Sequence, residues 1–345
     1  MEMTFCKDTA QPVTLPGRGR NGTLVAVVVT YNRLPMLKQT VERILAEPPS
    51  ALHRLVVVDN ASSEDTVAWL AAQTDSRLDV VRLPSNCGGA GGFAAGLRHA
   101  MDHHNPDWLV VMDDDARPAS GVLSRFAEMD TGKWDALAAA VYYPSGGICE
   151  MNRPSRNPFW RPRVFVSTLL GVFRGRARQC YHLPDSAFSA SKPVEIDLTS
   201  FVGLFLSRHL INAVGYPDAN LFLYGDDVLY TLRARKKGMR IAMDNRLKFE
   251  HDCSTFQHEG QRVFRPIWKV YYLYRNGLMM YRRAAGPVFF WMLLMVLAPK
   301  WYLSGRRYGS DRKRYLRVMW RAVRDGARGD TMLTHPEVQA LAQHP

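Results

Sequence analysis

The sequence is poor in cysteine and lacks the patterns that cysteine-rich proteins use. The five cysteines are Cys6, Cys87, Cys149, Cys180 and Cys253. They are widely spaced and form no Cys-x-x-Cys pair, so the sequence predicts neither a disulfide framework nor a zinc-finger site, and it favours a reducing compartment. No apolar stretch follows Met1, so we expect no secretory signal and interpret residues 1–22 as a flexible lead-in.

Acidic residues are also under-represented. The 345 residues include 45 Lys and Arg but 32 Asp and Glu, a net charge of +13. An excess of this size predicts an anionic partner, and nucleic acid, an anionic membrane surface and a phosphorylated substrate all fit. The hydrophobic fraction of 47% and the charged fraction of 22% are those of a globular chain.

Short apolar runs alternate with helical stretches in the first third of the chain. The runs cover residues 24–30, 55–59, 78–83 and 108–112, with helical patterns at 34–46 and 67–72. Strands that are apolar throughout and alternate with helices are typical of a parallel sheet covered on both faces. We therefore predict an α/β nucleotide-binding domain.

The fourth run ends on three consecutive aspartates, Asp113, Asp114 and Asp115. Open α/β sheets bind their ligands at the carboxyl ends of strands. Three adjacent carboxylates repel one another unless a cation lies among them, and oxygen ligands of this kind suit Mg²⁺ or Mn²⁺ holding a diphosphate. The alternative is an acidic turn that caps the next helix.

A glycine-rich loop at residues 86–93, Asn-Cys-Gly-Gly-Ala-Gly-Gly-Phe, lies between a predicted strand and helix. Its glycines allow the backbone to approach a ligand closely. The stretch from Gly89 to Ala94 also matches a dinucleotide-binding fingerprint, which would indicate a nicotinamide-dependent oxidoreductase. That fingerprint belongs in the first strand-to-helix turn, and the first turn here, from Thr30 to Arg33, contains no glycine.

Two further acidic or metal-ligating features lie downstream. Tyr224-Gly-Asp226-Asp227 opens a helical pattern, and one aspartate is expected to cap the helix while the other faces substrate and accepts a proton. His251 ends a short strand-like run and is a candidate metal ligand, with a structural role as the alternative. His258 is a weaker candidate.

The C-terminal region changes character. Residues 287–299 form an apolar run of about 13 residues, shorter than the ~20 that a transmembrane helix needs. Residues 306–328 carry nine Lys or Arg against Asp311 and Asp325. We interpret residues 266–345 as a helical, basic, membrane-surface region following a catalytic domain at 23–265; the alternative is a buried helix followed by a solvated basic one.

These motifs together resemble the family 2 inverting glycosyltransferases with the GT-A fold, and most closely the galactofuranosyltransferases. The resemblance covers residues 25–251 and comprises the segments VVVTYNR, VVVDNAS, NCGGAGGF, VMDDDA and YGDD, followed by His251. The glycine loop combined with a triple Asp is its most specific part. Members of this group that polymerise carry Trp where this chain has Tyr224, and an additional N-terminal domain, so the resemblance implies addition of one or a few sugars.

The resemblance implies a role for each motif. Asp113, Asp115 and His251 would hold Mn²⁺ or Mg²⁺, Asp227 would be the general base, and Asp226 would bind a sugar hydroxyl. Tyr224 would contact the acceptor. The donor-binding residues would be Thr30, Asn32, Arg33, Asp59, Asn86, Gly88, Gly89, Gly91, Gly92, Asp113 and Asp114.

We therefore expect an enzyme that transfers galactofuranose from UDP-galactofuranose, with inversion, to a lipid-linked or glycan acceptor of the cell envelope. It would be cytoplasmic and peripheral at the inner face of the membrane. One alternative is a family 2 rhamnosyltransferase that uses dTDP-rhamnose. Another is a basic nucleic-acid-binding protein, but the basic tail contains no nucleic-acid recognition motif and no nucleic-acid partner is expected.

Overall fold

The computed structural model describes residues 20–253 and 263–343. The strands are β1 Leu24–Thr30, β2 Arg54–Asp59, β3 Leu78–Arg82, β4 Trp108–Asp113, β5 Ala116–Pro118, β6 Ala136–Tyr142, β7 Val194–Glu195, β8 Leu204–Ser207 and β9 Ile241–His251. The helices are α1 Leu34–Leu45, α2 Glu64–Ala71, α3 Gly88–His104, α4 Val122–Glu128, α5 Pro162–Phe173, α6 Ala177–Tyr181, α7 Arg208–Val214, α8 Asp226–Lys236, α9 Trp268–Ser304, α10 Arg312–Arg328 and α11 His335–Gln343. Residues 1–19, which include most of the expected lead-in, and His258 lie outside the described residues.

One nine-stranded sheet organises the domain, in the order β3-β2-β1-β4-β8-β6-β9-β5, with β7 paired to β9. β1 to β4 are mutually parallel, as are β6 and β9, whereas β5, β7 and β8 pair antiparallel to their neighbours. The predicted α/β class with a mainly parallel, GT-A-type sheet is confirmed. The antiparallel strands are short, and their sequences carry no signal of direction.

The apolar runs have no polar alternation because both faces of the sheet are covered. Ala26 and Val28 of β1 face one helical layer that includes Leu37 of α1. Val27 and Val29 face the other layer, which includes α3. Every residue of β1 is consequently buried. In β1, β2 and β4, polar side chains appear only where the strands end.

The segment after residue 140 is rich in Pro, Arg and aromatic residues, a composition that predicts loops and a partly mobile excursion, and the structure differs from this prediction. The structure contains the three-turn helix α5 at Pro162–Phe173, followed by the short helix α6. Pro162 occupies the first turn of α5, where its missing N–H costs no helical hydrogen bond. The prolines and arginines that flank this apolar stretch gave it the composition of a loop.

The C-terminal helices form a third hydrophobic core of their own. Helix α9 contains a break at Gly286, which has φ 75° and ψ 174°. Beyond the break the chain folds back, since the ring of Trp301 stacks on Tyr274 at 4.1 Å. α10 closes this core, and Tyr271 donates a 2.8 Å hydrogen bond to Asp325.

The apolar helix is longer than the 13-residue run predicted from the sequence. It continues through Pro299 to Ser304, so its second half, residues 287–304, is about 27 Å long at ~1.5 Å per residue. By length and composition alone, the described chain contains one helical region that could cross a membrane. The expectation that this segment is too short to span was therefore wrong.

Candidate active site

The carboxyl ends of three adjacent parallel strands converge at one edge of the sheet. Thr30 at the end of β1 is in register with Asp59 of β2, and Val29 is in register with Asp113 of β4. Parallel pairing forces these strand ends to the same edge. The predicted motifs at Thr30, Asp59 and Asp113 are consequently neighbours.

His251 is brought to the aspartates by strand pairing. β5 starts directly after the acidic triplet, and Ala116 pairs with His251 in antiparallel register. The N–H of Asp252 donates to the carbonyl of Asp115 at 2.9 Å. As a result, Nε2 of His251 lies 3.2 Å from Oδ1 of Asp115, so the structure brings these two predicted metal ligands together.

Asp114 points away from His251 and is held by β1 and α1. Its Oδ2 accepts a 2.8 Å hydrogen bond from the Thr30 hydroxyl. Arg33, the residue before α1, donates to Asp114 Oδ1 at 3.2 Å and to Asp115 Oδ2 at 2.6 Å. Thr30 and Arg33, predicted as donor-binding residues, therefore also hold the triplet in place.

The triplet and its neighbours have strongly perturbed pKa values. Burial and the nearby charge of Asp115 raise the pKa of Asp113 to about 7, and burial raises that of Asp114 to about 6. Burial opposes ionisation of Asp115 too, but the contact with His251 outweighs it and lowers the Asp115 pKa. Despite burial, the same contact and the adjacent thiols raise the pKa of His251 to about 12. The histidine acts as the counter-charge of the acidic cluster.

The residues at this point fit a divalent cation. Among the described residues, Oδ1 of Asp115 is buried and accepts no well-aligned hydrogen bond, and its nearest polar neighbour is the His251 ring nitrogen. An unsatisfied buried carboxylate oxygen is costly, and a cation would satisfy it. Two carboxylates with one imidazole suit Mn²⁺ chemically. Within the described residues, Asp115 and His251 are in contact, but Asp113 is not part of a group of three potential ligands that lie within 4.8 Å of one another. Binding through Nε2 requires that His251 lose its proton.

The opposite edge of the His251 ring is buried against Asn152 and two cysteines. Nδ1 of His251 is 2.7 Å from Oδ1 of Asn152 and 3.2 Å from the Cys253 sulfur. The Asn152 amide nitrogen donates to Ser200 at 2.9 Å, which turns its oxygen toward the histidine. Nδ1 is thereby assigned as the donor, and Nε2 faces the aspartates. Cys149, whose sulfur is 3.7 Å from that of Cys253, completes a buried group of three potential soft-metal ligands.

Asp59, at the end of β2, has one carboxylate oxygen that could accept a hydrogen bond from a ligand. Asp59 is 1% exposed, and its Oδ1 accepts from the Ser62 N–H at 2.9 Å. Its Oδ2 is 3.7 Å from Arg82 and has no hydrogen-bond donor within the described chain. Asn32, with φ 55°, joins the loops after β1 and β2 by accepting from the Ser63 N–H at 2.8 Å.

The glycine loop forms the first turn of α3, and its glycines serve different purposes. Gly88 has φ 70°, and a Cβ there would overlap the carbonyl of Phe222. A Cβ at Gly92 would overlap Val29 of β1, and one at Gly91 would overlap Cys87. At Gly89 a Cβ would meet no described atom within 4 Å. Gly88, Gly91 and Gly92 are required by packing, and Gly89 leaves open space at the N-terminus of the 17-residue helix.

Asn60 connects the glycine loop to β2. Its amide donates to Asn86 Oδ1 at 3.1 Å and to the Gly88 carbonyl at 3.0 Å, while its oxygen accepts from the Cys87 N–H at 2.9 Å. Asn86 in turn accepts from the Gly88 N–H at 2.8 Å. These bonds hold the helix N-terminus, an anion-binding feature, next to Asp59.

The acidic pair occupies the first two positions of α8. Gly225, with φ 78°, is the residue that caps the helix, so the expectation that one aspartate is the N-cap was wrong. Asp227 instead accepts a 2.7 Å bond from the N–H of Val228. Burial raises the pKa of Asp227 to about 6. Burial raises the pKa of Asp226 well above its usual value. The negative charges of Asp227 and, to a smaller extent, Asp113 raise it further.

A strained loop leads into the acidic pair. Phe222 and Tyr224 have φ values of 63° and 67°, a region that non-glycine residues rarely adopt. Asn276 of α9, which is fully buried, donates to the carbonyls of Leu221, Leu223 and Tyr224 at 3.0, 2.8 and 2.8 Å. These hydrogen bonds from Asn276 stabilise the unfavourable backbone conformation that precedes Asp226.

Sequence reasoning missed three asparagines that organise the site. Asn60 lies within the VDN segment, next to Asp59, and could have been found there. Asn276 follows Arg275 in the middle of an apolar helix, and a buried polar pair of this kind needs internal partners. Asn152 lies in an irregular segment and gave no signal.

Comparison with known proteins matches this geometry. A family model described as glycosyl transferase family 2 matches residues 25–186. Galactofuranosyltransferase GlfT1 of Mycolicibacterium smegmatis is 29% identical over 244 residues, which cover 70% of this chain and 73% of that protein. GlfT1 of Mycobacterium tuberculosis is 28% identical over 250 residues, covering 71% and 73%.

Among solved structures, the mannosyltransferase PcManGT from Pyrobaculum calidifontis, in complex with GDP-Man and Mn²⁺, has a TM-score of 0.48 and 18% identity over 92% of this chain and 78% of that one. This likeness is too low to transfer a donor or a metal. The family match, the GlfT1 relatives and the α/β sheet with its acidic strand ends agree. Residues 25–186 match the glycosyl transferase family 2 model, and the chain is similar to family 2 glycosyltransferases.

Proposed function

We propose that this glycosyltransferase transfers galactofuranose from UDP-galactofuranose, with inversion and with the help of a divalent metal, to a lipid-linked cell-envelope glycan. The observation that carries the proposal is the convergence of Asp113, Asp115 and His251 at one edge of the sheet, while the loop before the acidic pair is bonded to the first turn of α3 by the Ala90 N–H, which donates to the Phe222 carbonyl at 3.2 Å. Diphosphate-binding and proton-accepting groups at one edge of a sheet are what sugar transfer requires.

Asp113, Asp115 and His251 are the residues that would hold Mn²⁺ or Mg²⁺. Such an ion supplies charge neutralisation for the donor diphosphate and its leaving group. Asp114 remains tied to Thr30 and Arg33, so its role is to orient the triplet. The buried soft-ligand group behind His251 competes with this assignment only for thiophilic ions, because Mn²⁺ and Mg²⁺ prefer oxygen ligands.

The donor is proposed to bind across the ends of β1 and β2 and the start of α3. Asp59 Oδ2 would accept from the nucleoside, uracil N–H or ribose hydroxyl. Asn86 and the backbone at Gly89 would border the phosphate and sugar, because the N-terminus of α3 carries a partial positive charge. Asn32 fixes the loop above Asp59.

Asp227 is proposed as the general base that removes the acceptor hydroxyl proton as that oxygen attacks the anomeric carbon. Its pKa, raised to about 6 by burial, gives it more basicity than an ordinary carboxylate while leaving it ionised at neutral pH. Asp226, whose pKa burial raises well above its usual value, suits hydrogen bonding to a sugar hydroxyl. Tyr224, held in place by Asn276, would contact the acceptor.

The choice of galactofuranose is supported by the GlfT1 relatives and by the glycine loop joined to a triple Asp. A test is to incubate the purified protein with Mn²⁺ and a panel of nucleotide sugars. Release of UDP from UDP-galactofuranose above that from other UDP-sugars supports the proposal. Selective consumption of dTDP-rhamnose would transfer it to the rhamnosyl alternative.

The cellular location is proposed to be the cytoplasmic face of the membrane, as a peripheral enzyme. A nucleotide-sugar donor is soluble and a lipid-linked acceptor is not, so the enzyme must work at the boundary between them. The basic C-terminal region, with its exposed apolar helix, supports contact with an anionic membrane surface. The division at residue 265 stays a prediction, since Asn276 beyond it contacts the loop before the acidic pair.

A further inference from the structure

Helix α5 exposes a large apolar surface within the catalytic domain. Val166, Leu169, Leu170 and Val172 are 49–58% exposed, and Phe173 is 82% exposed. These five side chains lie on one three-turn helix. A soluble protein rarely exposes so many large apolar side chains together unless they bind something.

This surface continues onto the second half of α9, residues 287–304. The ring of Phe289 lies 5.7 Å from that of Phe159 and 5.3 Å from that of Phe165. Asn157, just before α5, donates to the carbonyl of Ala284 at 3.1 Å. Two helices more than a hundred residues apart in sequence therefore form one apolar patch, which we call the α5–α9 surface.

The α9 part of the surface is equally unprotected. Val288, Met295 and Val296 are 67–72% exposed, and Trp291 is 57% exposed. In the 18-residue stretch that is apolar enough to cross a membrane, 6% is buried inside the protein. This is the pattern of a helix with an external apolar partner, rather than of a core helix.

Charge identifies the partner. The sequence contains no Asp or Glu between residues 160 and 184 or between 260 and 310. Exposed Arg174, Arg176 and Arg178 follow α5 directly, and Lys300 and Arg306 flank the end of α9. An apolar face bordered by cations and without acidic groups complements an anionic lipid headgroup layer over a hydrocarbon interior.

The second half of α9 lies along the protein instead of projecting from it. Near its start, Phe290 packs under Arg282, whose guanidinium is 6.0 Å from the ring centre. Near its end, Trp301 stacks on Tyr274. Because both ends contact the first half of α9, the helix would have to detach to cross a bilayer. A membrane contact that keeps this packing would place the helix in the plane of the interface.

We propose that α5 and residues 287–304 together form a two-part docking surface that inserts shallowly into an anionic bilayer, with α5 as an obligatory half. The proposal rests on the proposed function in that a lipid-linked acceptor gives such docking its purpose. The position of α9 favours docking near the site, because Met280 in the first half of this helix packs against Gly225, the residue before the acidic pair.

The test is flotation of the full chain with vesicles of phosphatidylcholine, with and without phosphatidylglycerol. The α5 variant is Leu169→Asp combined with Phe173→Asp, and the matched control is Val80→Asp combined with Met332→Asp, since all four side chains are at least 41% exposed. We expect the α5 variant to lose about tenfold or more in affinity for anionic vesicles, because two inserted apolar groups are replaced by charges. The control should bind like the wild type.

A charge variant, Arg174→Glu with Arg176→Glu and Arg178→Glu, should also lose binding, and only to vesicles that contain phosphatidylglycerol. Wild-type affinity in the α5 variant would overturn the proposal. A wild-type protein that does not float, but whose dimer becomes a monomer in the α5 variant by light scattering, would also overturn it and assign the surface to a second copy.

Release of UDP from UDP-galactofuranose with a water-soluble acceptor separates this inference from the proposed function. A variant that no longer floats but retains normal UDP release supports the docking surface and shows that the fold is intact. A wild-type protein that floats but uses no UDP-galactofuranose leaves the docking surface standing and refutes the donor assignment.

Discussion

Asn276→Ala tests whether the C-terminal helix holds the loop that precedes the acidic pair. The substitution removes an amide whose two N–H groups are shared by the carbonyls of Leu221, Leu223 and Tyr224, at 3.0, 2.8 and 2.8 Å. It also removes the oxygen that accepts a 2.8 Å bond from Nε of Arg275. For about three net bonds at ~0.5–1.5 kcal/mol each, the free energy of unfolding should fall by about 1.5–4.5 kcal/mol. Since Tyr224 is held at φ 67°, the loop should also relax, so that kcat falls more than donor affinity.

The assays are urea denaturation for stability, and UDP release with titration of UDP binding for function. A matched control is Asn245→Ala, because Asn245 is part-buried and donates one 3.0 Å bond to Phe188 at a different part of the fold. The control should lose ~0.5–1.5 kcal/mol and retain kcat. A loss in Asn276→Ala no larger than in the control, with normal turnover, would refute the claim that this amide stabilises the strained loop.

The remaining predictions concern the metal, the base and the glycine loop. Asp115→Ala and His251→Ala should each abolish transfer and weaken Mn²⁺-dependent UDP binding, measured by calorimetry, and normal Mn²⁺ binding in His251→Ala would exclude the histidine as a ligand. Asp227→Asn should lower kcat by ~10²–10⁴ with donor binding retained, and a dead Asp226→Asn beside a normal Asp227→Asn would interchange the two roles. Because the Asp227 pKa is raised to about 6 and a base must be ionised, kcat/KM should fall as the pH drops through about 6. Asp113 and Asp114 titrate in the same range, so the contribution of Asp227 is the part of this acid limb that Asp227→Asn removes at saturating Mn²⁺. Gly92→Ala should destabilise the fold by about 1–3 kcal/mol through overlap with Val29, as urea denaturation would show, and a neutral effect would mean that β1 and α3 can separate locally.

The parallel half of the sheet could be predicted because its strands are buried on both faces and form unbroken apolar runs. Once β1, β2 and β4 are known to be parallel, Thr30, Asp59 and Asp113 must meet at one edge. The position of His251 beside Asp115 depended on a three-residue antiparallel strand, β5. Strands so short carry no periodicity, so the pairing had to come from the structure.

Features that depend on long-range packing were not accessible in this way. Asn152 contacts His251 across 99 positions of sequence, and nothing in its local segment indicates the contact. The assignment of Gly88 and Gly92 to ligand binding followed from their loop, but their space is filled by Phe222 and Val29. Backbone freedom and close packing both select glycine, and only the fold distinguishes the two causes.

The glycine loop, the loop before the acidic pair and helix α9 are parts of one connected structure. Asn276 of α9 holds the Tyr224 carbonyl, and the Phe222 carbonyl accepts from the N–H of Ala90 at 3.2 Å, in the first turn of α3. α9 therefore supports the loop that joins the acidic pair to the glycine loop.

This connection determines how membrane contact can be studied. Truncation at Gly286 would remove α10 along with the apolar helix, and with it Asp325, the partner of Tyr271 in the C-terminal core. Loss of activity after such a truncation would follow from damage to the support of the active site, whether or not lipid binding matters. Substitutions at exposed positions such as Phe173 leave that support intact, because the side chain is 82% exposed and contributes little to the core. We therefore expect surface substitutions, and not deletion, to separate membrane binding from catalysis.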